Sequence, residues 1–391
     1  MALSIATVII LGLIFKWLFE KIKLPGILGM LILGVLIGPY MLDWISPEMM
    51  NISTDLRKIA LIIILLRAGL GISRSTLKKV GKESAKLAFI PDLIEGFAIA
   101  FFSMKIFGLS FIEGGMLGFI IAAVSPAVVV PSMLELIEKG KGEKKAIPTM
   151  ILAGASIDDV VAITMFSTFL GLYGGKNVNI PVKIIEIPIS IILGVAIGAV
   201  VGFIFVRIFK KFHIRDTRKV LYIIAISIFL TTLEDVLKSY IQIASLLGVM
   251  TIGFILLEKK PDAANRIAKK FEKIWVFAEI ILFVLVGAQV NTTVALNSGL
   301  KGLALITIGL LFRSLGVFIS LMGSDLNGKE KIFSIIGYIP KATVQAAIGA
   351  VPLSMGVENG ELILAVAVLS IIFTAPIGAF GIKYFGDKLL D

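Results

Sequence analysis

Long apolar runs alternate with short polar stretches along the whole chain, and most of the runs reach the roughly 20 residues a helix needs to cross a hydrocarbon core about 30 Å thick. Taking the runs between charged residues and Pro/Gly clusters predicts about thirteen transmembrane helices, near 2–20, 27–42, 56–72, 86–107, 113–134, 146–173, 186–206, 220–237, 241–257, 274–290, 301–322, 332–352 and 362–384. The first run has no basic segment before it; its positive flank, Lys16, Lys21 and Lys23, follows the apolar residues. A retained helix rather than a cleaved signal peptide is therefore expected. The predicted class is an all-α polytopic membrane protein.

Charge then orients the pattern. Arg74, Lys78, Lys79, Lys82 and Lys86 follow the third run, Lys139, Lys141, Lys144 and Lys145 the fifth, Arg207, Lys210, Lys211, Arg215, Arg218 and Lys219 the seventh, and Lys259, Lys260, Arg266, Lys269, Lys270 and Lys273 the ninth. The intervening loops carry few basic residues. By the positive-inside rule the basic loops face the cytoplasm of a cell (inner) membrane, which predicts an outside N-terminus and a cytoplasmic C-terminus bearing Lys383 and Lys388. The net charge of +11 thus reports membrane orientation rather than a nucleic-acid surface. Hydrophobic residues make up 58% of the chain, and with no cysteine and a single histidine, His213, thiolate and His-rich metal sites are excluded. His213 sits among cations in a basic loop and is expected to be solvated. No nucleotide-binding loop and no cofactor motif is present, so any transport is expected to be driven by an ion gradient.

Two runs are broken in the same way. The fifth contains Pro126 and Pro131, the twelfth Pro340 and Pro352. Proline removes a backbone donor and clashes with the preceding turn, so unwound backbone is expected, and at membrane depth it is tolerated only where it is buried in protein or lines a cavity. The offset between these runs is odd, so the two copies cross the membrane in opposite directions, the signature of an inverted repeat around a central site. The same offset relates Glu95 to Arg313 and predicts an ion pair between them. The glycines Gly69, Gly71, Gly287, Gly316, Gly349 and Gly378 are expected to permit close helix packing.

The candidate chemistry centres on Asp158 and Asp159, adjacent carboxylates in the middle of the sixth run. A carboxylate at that depth costs roughly 2.5–3.5 kcal/mol on insertion scales and marks an ion or proton path. Neighbouring helix positions point about 100° apart, so one can line the path while the other meets a partner. Competition of a small cation and a proton for one carboxylate suffices for exchange, with Ser125, Thr343, unwound carbonyls and water as further oxygen ligands. Lys341, next to Pro340, is placed to neutralise exposed carbonyl ends. Arg67 either snorkels to the cytoplasmic interface or packs between helix groups; Glu279 receives no role. An intramembrane aspartyl protease needs two aspartates converging from different helices, and this pair lies on one. A channel is disfavoured by the broken-helix repeat.

The segments LLRAGLGI, AAVSPAVVVPSM, ASIDDVVAIT, YIPKATVQAAIGA and TAPIGA, in this order over nearly the whole chain, resemble the NHA branch of the cation:proton antiporter superfamily. The resemblance implies an NhaA-like fold with two crossed discontinuous helices, a homodimer, and an elevator-like movement. It places a dimerisation panel at 1–84 and 219–299, an ion-transport core at 85–173 and 300–391, and a linker helix with cytoplasmic loop at 186–218. It implies Na⁺ or Li⁺ exchanged for H⁺ in a lipid bilayer, with Asp159 as principal carboxylate, Asp158 beside it, and Glu95 and Arg313 paired in support. Arginine stays charged when buried, so Arg313 should carry no transported proton and exchange should be one-for-one and electroneutral. Paired aspartates accompany electrogenic members and point the other way. K⁺/H⁺ exchange or a cation-coupled symporter on the same fold is the main rival.

Overall fold

A backbone in hydrocarbon must satisfy its own hydrogen bonds, which leaves helices or closed barrels for a chain this apolar; the computed structural model is helical throughout, with no strand among the described residues. It describes residues 1–22, 24, 26–72, 74–173, 180–237, 241, 243–289 and 292–391. Lys23, Gln242 and Val290, which the sequence reading places in a basic loop and at the edges of two spans, lie outside them.

The first half contains α1 (Ala2–Lys21), α2 (Gly26–Ile37), α3 (Pro47–Asn51), α4 (Ser53–Gly69), α5 (Arg74–Phe107), α6 (Phe111–Ala122), α7 (Pro126–Glu138), α8 (Ile147–Tyr173) and α9 (Ile180–Lys211). The second contains α10 (Asp216–Leu237), α11 (Ser245–Lys259), α12 (Pro261–Ala288), α13 (Thr292–Ser320), α14 (Gly328–Gly337), α15 (Thr343–Ile348), α16 (Val351–Ser354) and α17 (Gly360–Leu389). Among the described residues, seven helical segments are long and apolar enough to cross a membrane, Phe111–Glu138 counting α6 and α7 together. The remaining expected spans are shorter helices or carry charged ends.

Two basic stretches read as loops are helical instead. Residues 74–85 open α5, where Val80, Ser84, Leu87 and Ala88 are buried while Lys78, Lys79 and Lys82 are exposed. Residues 261–273 open α12, where Ala263, Ala264, Ile267 and Phe271 are buried and Lys269, Lys270 and Lys273 are exposed. Burial at three- and four-residue spacing makes both amphipathic helices; their charges lie on the outer face, so a search for unbroken apolar runs starts the spans too late.

The proline expectation needs one correction. Backbone unwinds before Pro126 and around Pro340, but the helix continues past Pro131, with Ser132 Oγ donating to Val128 O (2.8 Å). Pro126 and Pro352 stand in the first turn of α7 and α16, where the missing donor has no intrahelical partner to lose.

Helices α5, α6, α7, α8, α13, α14 and α17 pack mainly on one another, as do α1, α2, α4, α9, α11 and α12; α4 meets α7, α8 meets α9, and α2 meets α17 between the groups. Close approach depends on glycine near the centre. A Cβ on Gly118 of α6 would lie 2.2 Å from Gly96 O of α5, and one on Gly316 of α13 would lie 2.6 Å from Pro91 Cα of α5. The two contacts bring α6 and α13 against α5 beside Glu95 and Asp92.

Candidate functional site

The site is built on two broken helices. Residues 123–125 separate α6 from α7, and 338–342 separate α14 from α15. The breaks touch: Ser125 N donates to Pro340 O at 2.8 Å, and Ser125 Oγ and Thr343 Oγ1 lie 3.5 Å apart. Helix ends leave carbonyls and amides without partners, costly when buried, and here side chains fill those roles. Gln345 Nε2 donates to Ile120 O (2.9 Å), Ile121 O (3.2 Å) and Ala123 O (2.9 Å) at the end of α6. Lys341 Nζ donates to Ala122 O at 2.8 Å, and Arg313 Nη1 donates to the same carbonyl. Val124 N donates to Asp158 Oδ2 at 2.6 Å, and Lys341 N to Thr374 Oγ1 at 2.9 Å.

An ionic cluster surrounds this junction. Glu95 Oε2 accepts from Arg313 Nη1 at 2.9 Å and from Lys341 Nζ at 2.6 Å. Arg313 Nη2 donates to Asp158 at 3.0 and 3.3 Å, and its Nη1 lies 3.4 Å from Asp92 Oδ1. The Tyr338 ring stands 5.2 Å from the guanidinium. Asp92, Glu95, Asp158, Arg313 and Lys341 are all buried; charges so placed are tolerated only when paired and hydrogen-bonded. Arginine suits the centre because its planar fork serves several acceptors at once.

Asp159 faces elsewhere. It lines a cavity of about 500 Å³ with Pro126, Ser156, Thr164, Ser167, Ser190, Glu234 and Ser245. Its Oδ1 is buried and accepts no hydrogen bond among the described residues. Ser156, Thr164 and Ser167 donate their hydroxyl protons to carbonyls one turn back, each at 2.7 Å. With the proton so committed, the oxygens of Ser156 and Ser167 have lone pairs left to offer, as a carboxylate does, and a cation is the natural partner for such a set.

The structure therefore brings Glu95, Arg313, Lys341 and Asp158 together and sets Asp159 apart on the next helical position. Ser125 and Thr343 face each other at the breaks and do not line the Asp159 cavity. Arg67 pairs with Glu138 of α7 at 2.5 Å, a contact between α4 and α7, and Glu279 pairs with Lys16 of α1 at 2.6 Å; both pairs line a second cavity of about 510 Å³. His213 is exposed in a loop. Asp92 and Gln345 were missed by the sequence reading. Asp92 carried a signal, three positions before Glu95 on the same helix face; Gln345 carried none, since its partners belong to a break whose exact end the sequence does not fix. Asp92 and Asp158 do come from two helices, but Arg313 lies against both, so they do not form an aspartate pair sharing one proton.

Residues 5–387 match the family model described as sodium/hydrogen exchanger, transmembrane. Sodium/hydrogen exchanger 9B2 of Mus musculus is 37% identical over 386 residues, an alignment covering 94% of this chain and 69% of that protein. Its Homo sapiens counterpart is 36% identical over 385 residues, covering 94% and 70%. Sodium/hydrogen exchanger 9B1 of Homo sapiens is 34% identical over 394 residues, covering 94% and 73%. Among solved structures, the sodium proton antiporter MjNhaP1 from Methanocaldococcus jannaschii superposes with a TM-score of 0.80 at 21% identity, over 98% of this chain and 97% of that one, a likeness of fold.

Proposed function

The chain belongs to the sodium/hydrogen exchanger family, a multi-pass membrane cation:proton antiporter, and from that premise we propose that it exchanges Na⁺ or Li⁺ for H⁺ at Asp159, with Asp158 beside it. The observation that carries the assignment is the contrast between the two carboxylates. Asp158 is held by Arg313 and Val124 N, whereas Asp159 reaches a cavity with an oxygen that lacks a partner among the described residues. Hydroxyl oxygens, a carboxylate and water are hard ligands that suit a small alkali cation. A site with one free carboxylate also binds weakly enough to release its ion, which transport requires.

The cycle follows from competition. A proton on Asp159 removes the charge that holds the cation, and a cation on Asp159 disfavours the proton, so each displaces the other. Arg313 stays charged throughout and moves no proton, which gives one-for-one electroneutral exchange. Lys341, bound to Glu95 and Ala122 O, supports the junction electrostatically.

The basic residues put the start of α8 in the cytoplasm. The Asp159 cavity includes Thr164 and Ser167, towards the other end of α8, and Ser245 at the start of α11, so it opens to the outside. The α5–α8 and α13–α17 helices act as a transport core. They move in an elevator-like manner against a panel built from α1, α2, α4 and α10–α12, with α9 as linker, and the panel carries the homodimer contact. The exposed Leu3, Ile10, Leu13, Ile14 and Trp17 of α1 offer an apolar face for lipid or a second copy.

The test is proton efflux from acid-loaded proteoliposomes on adding Na⁺, Li⁺ or K⁺, with the membrane potential clamped by valinomycin and K⁺. Exchange with Na⁺ and Li⁺ that is lost in Asp159→Asn and ignores the clamp is the expected result. A rate that follows the imposed potential would overturn the electroneutral part, and full activity in Asp159→Asn would remove the site.

A further inference from the structure

Asp92 has no part in the function proposed so far, yet it is fully buried one turn before Glu95 on α5. Three carboxylates, Asp92, Glu95 and Asp158, face two cations, Arg313 and Lys341. The pairing among them is uneven. Glu95 is bound by both cations at 2.9 and 2.6 Å, and Asp158 has two contacts to Arg313 together with the Val124 amide. Asp92 has a single contact at 3.4 Å, and its Oδ2 is buried with no hydrogen-bond partner among the described residues.

The opposite deficiency lies on Arg313, whose Nε is buried without an acceptor among the described residues. An unused donor and an unused acceptor within one buried cluster each cost free energy. Their coexistence is explained if this arrangement is one of two and the other uses both atoms. Asp158 supplies the reason for a second arrangement. While both of its oxygens are engaged by Arg313 it has little to offer a cation, and to join Asp159 around one it must loosen the guanidinium. A buried arginine cannot be left with nothing in that acceptor's place.

We propose that Asp92 is the alternative acceptor for Arg313: when Asp158 turns to the transported cation, the guanidinium shifts onto Asp92. Asp92 is a positioning residue that acts through Arg313, and the inference rests on the cation site proposed above. Glu95 is the competing acceptor, with a buried free oxygen of its own. It is already neutralised by Lys341, however, so the carboxylate with least counter-charge gains most from the move. The shift transfers no proton. It exchanges one ion pair for another, so the cost of freeing Asp158 falls and cation affinity rises.

Three readings of the full-length protein test this. In proteoliposomes, Asp92→Asn should raise the KM for Na⁺ about tenfold with a smaller change in maximal rate, and in an Arg313→Gln background the same substitution should change KM by less than about twofold. A simple loss of negative charge near the site would raise KM in both backgrounds, and that result would overturn the proposal. The third reading is a structure of the wild type in saturating Na⁺: Arg313 within hydrogen-bond distance of Asp92 Oδ2 supports the switch, and Arg313 still on Asp158, or on Glu95 alone, overturns it. The structural arm decides if a variant fails to fold. If wild type exchanges Na⁺, Asp159→Asn does not, and Asp92→Asn matches wild type, only the Asp92 proposal falls; if Asp159→Asn is as active as wild type, the site itself falls.

Discussion

At its midpoint α8 separates two environments. On one side Asp158 meets the junction of the broken helices, where its oxygens are taken by Arg313 and by the amide of Val124. On the other side Asp159 meets a cavity of about 500 Å³ lined by hydroxyls that already donate to their own helix. Adjacent residues of the same type thus differ in everything but depth. One carboxylate holds the protein together at a point where the backbone is interrupted, and the other is left with bonding capacity. A group already bonded must give up a partner before it can take a cation, whereas a group with a vacant oxygen can trade a proton for a cation directly.

The sharpest way to break this comparison is to neutralise each aspartate in turn. Asp159→Asn should reduce exchange to the background of protein-free liposomes while leaving thermal stability in detergent unchanged or higher, because it removes a carboxylate whose buried Oδ1 has no partner among the described residues. Asp158→Asn should lower stability by about 2–3 kcal/mol, the cost of a charge-assisted bond lost in a buried cluster. Equal melting behaviour of the two variants would mean that both carboxylates are equally engaged.

The next effect concerns the cluster as a unit. Arg313→Ala leaves three carboxylates with one cation and should cost about 3–5 kcal/mol. Adding Glu95→Ala should then cost less than its own single effect, with a coupling of about 0.5–3 kcal/mol in a denaturation cycle. Strict additivity would show that the two do not share an interaction.

pH separates the two sides of α8 more gently. Protons compete with the cation at Asp159, so exchange at fixed Na⁺ should rise as pH increases and the apparent KM for Na⁺ should fall. Stopped-flow measurement between about pH 6 and 9 would give a flat profile if no carboxylate were shared. The smallest expected effect is at the Arg67–Glu138 pair, where Glu138 is largely exposed. Glu138→Gln should change stability by less than about 1 kcal/mol, and a large loss would assign that contact between α4 and α7 a role beyond packing.

Much of this was legible in the sequence because the membrane imposes a narrow code. Apolar runs of spanning length specify helices, the alternation of Lys and Arg orients them, and proline inside a span announces an interruption. Asp158 and Asp159 stood out for the same reason, since charge at that depth is rare enough to need a function. The amphipathic openings of α5 and α12 were less visible: Val80, Leu87, Ile267 and Phe271 are separated by lysines that end an apolar run without ending a helix.

The rest was decided only in three dimensions. Glu95 and Arg313 stand at equivalent positions of a repeat in the sequence, but the sharing of Arg313 among Asp92, Glu95, Asp158 and Ala122 O depends on how closely α5, α6, α8 and α13 approach, which Gly118 and Gly316 permit. Likewise Pro126 and Pro340 announced two breaks, but not that Ser125 N of one would bond Pro340 O of the other. Helical periodicity fixed that Asp158 and Asp159 must point apart. Which of them would be bound and which not was set by what packs against each face of α8, and Arg313 of α13 with the Val124 amide in the first break makes that choice from positions far away in the chain.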